Sequence, residues 1–478
     1  MFTGMLLIAF FPVLLIALKL KRVFVLHTIN AFRSRWPRYT DEAALEKTVN
    51  NLLERMTLRE KIAQMSGDGG NAVLVKLGIY VLLLKRFPNM YSGLNRSLAI
   101  PPLSFTDGPR GIVIGNATCF PVAILRGASW DTALERRVGE AIGIEAQATG
   151  ANYFAGLCVN VLRHPAWGRA QETYGEDSHH LGAMGVALMQ GVQSQHVMVC
   201  AKHFAVNSIE NSRFYLDVTV DEAALHDVYL RHFKMLVDAG VDSLMSSYNQ
   251  LNGEYCGHSH TLLHTILREQ WGFKGFVSSD WLWGIYDTAA PANAGMDIEM
   301  PRAQFYGKRL WQAVRCGKVP EAAINTSAQR ILTAKLRWLT SLPNTLADKN
   351  IIACAAHCVL AREAAEQSMV LLTNNGVLPL STRQLNNKTL AVIGQLANQA
   401  CLGDHGSSRV SPPYTVSILQ GIQQLAGELI HTVFCDGSNR DEAVALARRA
   451  DVVILVAGYH AEDEGENLTS NRKPVANP

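Results

Sequence analysis

From about residue 40 onward, short apolar runs alternate with longer stretches in which apolar residues return every three or four positions. That rhythm predicts parallel strands joined by crossover helices. The helices are well marked. TVDEAALHDVYL places Thr219 three residues before Glu222, a capping-box pattern, and then Leu225, Val228 and Tyr229 at helical spacing. EDSHHLGAMGVALMQGV opens with Asp177 and Ser178 as cap candidates and carries an apolar face behind them.

The polar residues fall at the ends of the predicted strands. PLSF runs into TDGPRG, LCVNVL into RHPAWGR, VMVCA into KHF, DSLM into SSYN, and GFVSS into DW. In a (β/α)8 barrel the C-terminal strand ends share one face, so residues remote in sequence converge on a single pocket. The expected architecture is therefore α/β, with a TIM-barrel-like N-terminal domain over about 40–340. The rhythm breaks at TSLPNTLADKN, which predicts a linker and helix over 341–370, the helix running from about Ile351 to Ser368. Beyond it, TLAVIG, HTVFC and DVVILVAGY read as three strands separated by the helical stretches SILQGIQQLAG and DEAVALARRA. They predict a second parallel sheet, a partial αβα sandwich over 371–478.

Composition narrows the function. A chain of 478 residues is too long for one small core, which agrees with two domains. The formal net charge is only +3, with the two signs interspersed, so no extended basic face is offered to nucleic acid. A neutral or small polar substrate is expected. The nine cysteines are scattered singletons, which reads as buried thiols rather than a disulfide framework or zinc ribbon. Residues 1–25 are the exception to a soluble pattern: FTGMLLIAFFPVLLIALKLKR is apolar and closes on Lys19, Lys21 and Arg22. It lacks a basic n-region and a small-residue cleavage site, so it fits a cleaved secretory signal poorly. An uncleaved membrane anchor is expected as readily as an upstream start site, and its basic flank favours placing the remainder in the cytoplasm.

Each candidate group has a plain reading beside the chemical one. An aspartate at a strand tip, such as Asp280, is commonly a cap or an ion-pair partner. A carboxylate there can also attack an anomeric carbon, with the neighbouring Trp281 offering a flat apolar face to a pyranose. Asp107 sits in TDGPRG, which reads as a tight turn or as a carboxylate accepting from two adjacent sugar hydroxyls. Arg163, Lys202 and His203 are donors after strand ends, expected to bind hydroxyls and to keep Asp280 ionised by lowering its pKa. Lys202 as a Schiff-base amine would need to be desolvated and neutral, and the adjacent His203 and acids argue against that. CGHSHTLLH groups Cys256, His258, His260 and His264, but no third ligand stands at a convincing metal spacing. In AEDEGEN, Glu462, Asp463, Glu464 and Glu466 form either a solvated loop or a cluster that raises one carboxyl into the range of a general acid. There is no P-loop and no dinucleotide fingerprint.

Taken together, LREKIAQM, TDGPRG, RHPAWGRAQETYGED, AKHF, MSSYNQLNGE, GFVSSDW and NAGMDIEMP, in this order and spacing, resemble glycoside hydrolase family 3, the β-glucosidase-like enzymes. The resemblance implies a barrel followed by a six-stranded αβα sandwich, with the site between them. It also implies retaining hydrolysis of terminal β-linked glucosides or related sugars, without a cofactor or metal. By motif, Asp280 matches the nucleophile, Asp107, Arg163, Lys202 and His203 the residues that hold the innermost sugar, Trp281 a pocket aromatic, and Tyr248 a tyrosine near the nucleophile. The acid/base matches Glu464, which precedes Gly465, with Glu462 and Glu466 as fallbacks. KHFAVNS lacks the Pro-Gly-His-Gly loop of the N-acetylglucosaminidase branch, and no loop supports a phosphorylase with a histidine acid/base. The family's sandwich continues well past the acid/base loop and commonly carries Asp-Arg soon after the glutamate. NLTSNRKP has neither, so the second domain is expected to be incomplete. The alternative reading is a truncated, membrane-tethered sugar-binding relic without catalysis.

Overall fold

The structure, a computed structural model, describes residues 36–466 apart from 37, 40, 69, 79–87, 341–347, 404–405, 462 and 464. The apolar run of residues 1–25 and the connector 341–347 lie outside the described residues. Among the described residues, no helix is long and apolar enough to cross a membrane.

Six strands form one curled sheet in chain order: β1 (Met90–Ser92), β2 (Leu103–Thr106), β3 (Tyr153–Cys158), β4 (Met198–Phe204), β5 (Ser243–Ser246) and β6 (Phe276–Ser278). β1 is antiparallel to β2, and every later pairing is parallel. Two short staves close the ring. Ser278 bridges Ile298 in parallel, Glu299 bridges Ser66, and Gly67 bridges Ser92 back on β1. Real hydrogen bonds carry this closure, Glu299 N to Met65 O at 3.0 Å, Gly67 N to Glu299 O at 2.9 Å and Asp68 N to Tyr91 O at 2.7 Å. The result is an eight-stave, TIM-barrel-like domain with one antiparallel stave. Its strands are buried along their whole length, all seven residues in β4, which is why they read as unbroken apolar runs rather than alternating ones.

Local signals set most element ends. The helix Ser178–Ser194 starts at Asp177, whose carboxylate accepts from His180 N at 2.7 Å. Three sequence expectations are corrected. The helix expected to start at Thr219 begins at Glu222, because Asp221, not Thr219, takes the N-cap and accepts from Ala224 N at 2.9 Å. The strand expected at LCVNVL is Tyr153–Cys158, which ends earlier. There the Asn160 amide replaces the ladder, accepting from His203 N and donating to His203 O, each at 2.8 Å. The helix expected from Ile351 starts at Ala355, after Ala353 takes a left-handed backbone at φ 51°.

That helix docks on the barrel through buried and exposed pairs. Glu145, buried in the helix Thr132–Thr149, accepts from Ala353 N at 2.9 Å and faces His357 Nδ1 at 2.8 Å. Arg137 meets Glu363 in a fork at 2.6 and 2.7 Å. Beyond it, β7 (Thr389–Ile393) is the centre of a parallel three-stranded sheet, flanked by β8 (His431–Cys435) and β9 (Val452–Leu455). The helix Ile418–Ala426 carries a full capping box between Ser417 and Gln420. On the outer strand β9, Leu455 is 71% exposed.

Candidate active site

The C-terminal ends of the barrel strands deliver the chemistry to one cavity of about 370 Å³, within the ordinary range for small-molecule sites. Asp107 follows β2, Lys202 and His203 end β4, Tyr248 stands two residues beyond β5, and Asp280 and Trp281 stand just beyond β6. All six line the cavity. Lys202 Nζ, essentially inaccessible, donates to Asp107 Oδ1 at 2.6 Å, and Gly108 N donates to the same oxygen at 2.8 Å. Burial, the largest single effect, would strip the Lys202 charge, but Asp107, joined by Glu172 and Glu466, outweighs it and raises the ammonium pKa. Lys202 is therefore not the free amine that Schiff-base chemistry needs.

Asp280 is buried, 6% exposed. Its Oδ1 accepts from Trp281 N at 2.7 Å, whereas its Oδ2 is buried with no hydrogen-bond partner. Burial pushes its pKa up to about 6, against the nearby positive charges of Arg213, Arg169 and Lys202. This corrects the expectation that cationic neighbours would lower it: desolvation is the larger effect. At neutral pH the group is still mostly ionised, and it is poorly solvated. Tyr248 packs beneath, its hydroxyl donating to Trp281 O at 2.8 Å, while the Trp281 ring tilts over Phe105 at 4.2 Å.

His203 does not act as the cationic donor expected. Its Nδ1 lies 3.0 Å from Asn160 Oδ1, an acceptor, which fixes the proton on Nδ1. Nε2 then accepts from Arg169 Nη1 at 3.1 Å. Burial, then Arg169 and Lys202, hold the imidazole neutral, far below its ordinary pKa. Its 3.7 Å approach to Asp280 Oδ2 is thus no ion pair.

The arginine expected at the site is also corrected. Arg163 is exposed and lies 5.6 Å from the Tyr229 ring, outside the cavity lining. Six residues on, Arg169 takes the position instead. It is buried, lines the cavity and is gripped by Glu172 through two bonds of 2.9 and 2.8 Å across the short turn Ala170–Glu172. The sequence signal was the Glu three residues after Arg169 in RHPAWGRAQE, a spacing that lets both side chains share one side of a turn. Arg213, likewise missed, is held by Glu210 and stacks 4.8 Å over the Tyr248 ring.

The second domain contributes Gly406, Ser407 and Glu466 to the cavity. Glu466 accepts from Ser407 N at 2.9 Å and from the Ser407 hydroxyl, and lies 3.6 Å from both Arg169 and Arg213. Burial favours its neutral form, but Arg169, Arg213 and Lys202 prevail and hold the carboxyl below its ordinary range. The loop is pressed onto the barrel at Gly168, whose carbonyl accepts from Gly465 N at 2.6 Å. A Cβ on Gly168 would stand 2.4 Å from Gly465 O. Glu462 and Glu464 lie outside the described residues.

The Cys/His group of CGHSHTLLH is occupied otherwise. His258 Nε2 accepts from Tyr286 N at 2.9 Å, His260 and His264 stack at 4.6 Å, and the Cys256 thiol faces Ala205 O at 3.6 Å.

Residues 88–334 match the model for the Glycosyl hydrolase family 3 N terminal domain, and residues 369–477 that for its C-terminal domain. A β-glucosidase of Rhizobium radiobacter is 37% identical over 82% of this chain and 46% of its own length. Thermostable β-glucosidase B of Acetivibrio thermocellus is 34% identical over 83% of this chain and 56% of its own. Among solved structures, a β-glucosidase from Chaetomella raphigera superposes with a TM-score of 0.77 at 29% identity, over 87% of this chain and 60% of that one. The chain thus spans about half the length of the curated relatives it matches.

Proposed function

Because the chain belongs to glycosyl hydrolase family 3, we propose that it is a retaining, exo-acting β-glycosidase, β-glucosidase-like, working on terminal β-linked sugars. In this reading Asp280 attacks the anomeric carbon through Oδ2, forming a glycosyl-enzyme that water then releases. Glu464 protonates the departing oxygen and later takes the proton of that water. Asp107, Lys202 and Arg169 hold the hydroxyls of the sugar, and Trp281 lies along its apolar face. His203, neutral and oriented by Asn160, holds Arg169 in place rather than supplying charge.

The observation that carries this reading is the unpartnered Asp280 Oδ2, buried at the cavity with a pKa of about 6. A carboxylate oxygen with no donor keeps its lone pairs unengaged and is poorly solvated, which suits a nucleophile. Glu466 is ill suited to the acid role, because Arg169 and Arg213 keep it ionised, which leaves Glu464, the glutamate before Gly465, as the proposed acid with Glu462 as the fallback.

The test uses leaving groups of different acidity. Asp280→Asn should abolish turnover on every substrate. Glu464→Gln should lose kcat/KM by about 100-fold or more on an alkyl β-glucoside yet keep most of its kcat/KM on a dinitrophenyl β-glucoside, whose leaving group needs no proton, while kcat on the latter falls because release of the glycosyl-enzyme has lost its base. Equal loss on both substrates would remove Glu464 from the acid role, and a wild type inert on all β-glycosides would favour the sugar-binding relic.

A further inference from the structure

The cavity has two unlike halves. Of its charged lining groups, Asp107, Lys202 and Asp280 are buried at or just beyond strand ends and form the floor with Arg169, buried in the loop after β3, while Glu466, partly buried on the second-domain loop, lies against Arg169. The wall is different in kind. Leu74, Pro88, Met90, Val113, Ile114 and Leu282 line it, and no side chain among them can donate or accept a hydrogen bond. Leu74, Ile114 and Leu282 are partly exposed, unlike the floor, so the apolar wall faces the mouth. Trp283 stands beside them, 43% exposed and packed edge-on against Phe214 at 5.3 Å.

These residues come from four separate segments: the helix Ala72–Gly78, the start of β1, the loop after β2 and the turn after Asp280. Convergence of four segments on one character is not an accident of a single apolar strand. Leu282 adds a local observation. It holds a left-handed backbone at φ 65°, a conformation that favours glycine or asparagine, and yet keeps a branched apolar side chain on the wall.

We infer that the group leaving from the sugar is apolar, an aryl or alkyl aglycone, rather than a second sugar. The inference rests on the reading of the charged floor as the seat of the glycosyl ring. A second pyranose laid against these six side chains would bury hydroxyls where none of the six offers a partner, which disfavours its binding there. A hydrocarbon laid on the same wall loses nothing polar, and each buried methylene strengthens binding by up to about fourfold.

Hydrolysis-resistant thioglycosides test this without requiring turnover. Dissociation constants of methyl β-thioglucoside, hexyl β-thioglucoside and thiocellobiose are measured on the full chain by calorimetry. Hexyl should bind at least about tenfold more tightly than methyl, the gain from burying two of the five added methylenes, and thiocellobiose no more tightly than methyl. Ile114→Asn should shrink the hexyl-to-methyl ratio several-fold. Thiocellobiose matching hexyl, a hexyl-to-methyl ratio near one, or a folded Ile114→Asn protein with an unchanged ratio would overturn the aglycone assignment while leaving the sugar seat intact. No binding of any of the three would overturn the sugar seat itself, and the inference with it.

Discussion

Replacing Asp280 with asparagine should make the protein more stable, by an amount that depends on pH. Asparagine is the neutral isostere of the protonated acid, and its Oδ1 can still accept from Trp281 N. The Asp280 pKa rises from 3.8 to about 6 on folding, chiefly through burial. A carboxyl whose folded pKa is raised binds more protons folded than unfolded between those two values. Wild-type stability therefore falls as pH climbs from 3.8 to about 6 and stays lowered above it. A shift of about two units corresponds to about 3 kcal/mol. The Asp280→Asn protein, lacking that titration, should exceed wild type by about 1 kcal/mol at pH 4.5 and about 3 kcal/mol at pH 7.5. Urea unfolding of both proteins at the two pH values measures the difference, and subtraction removes the titrations that the proteins share. An advantage that does not grow with pH, or an asparagine variant less stable than wild type at pH 7.5, would refute the claim that burial outweighs the arginines at this carboxylate.

Two further outcomes are expected. The kcat/KM of the wild type on an activated aryl β-glucoside should fall on the acid side with a midpoint near pH 6, being about tenfold below its plateau at pH 5; a midpoint near 4 would show an unperturbed nucleophile. Gly168→Ala should force the loop bearing Gly465 and Glu466 off the barrel, because the new Cβ would meet Gly465 O at 2.4 Å. Turnover of an alkyl β-glucoside should drop by about tenfold or more for a misplacement of an ångström, and unchanged turnover would show that this contact does not set the loop.

The order of motifs and the strand ends were legible in the sequence because a parallel barrel needs only two local features, an apolar run and a polar residue at its C-terminal tip. Asp107, Lys202, His203, Tyr248, Asp280 and Trp281 all sit at or just beyond such tips, so their convergence on one cavity followed from alternation alone. Arg163 and Arg169 show the limit. Both lie in one loop after β3, where no strand period says which side chain turns inward, and the choice was made by the Glu172 fork and the His203 Nε2 lone pair. The closing staves at Ser66–Gly67 and Ile298–Glu299 were equally silent, being too short to show a pattern.

What the sequence determined by itself is the architecture of parallel units and the identity of the groups at the strand ends, Asp107, Lys202, His203 and Asp280, since both are written in local periodicity. What only the tertiary structure decided is their state: that Asp280 is raised, His203 neutral and accepting, Glu466 clamped between two arginines, and the mouth apolar. Those properties depend on burial and on charges brought together from segments hundreds of residues apart, and neither quantity exists until the chain has folded.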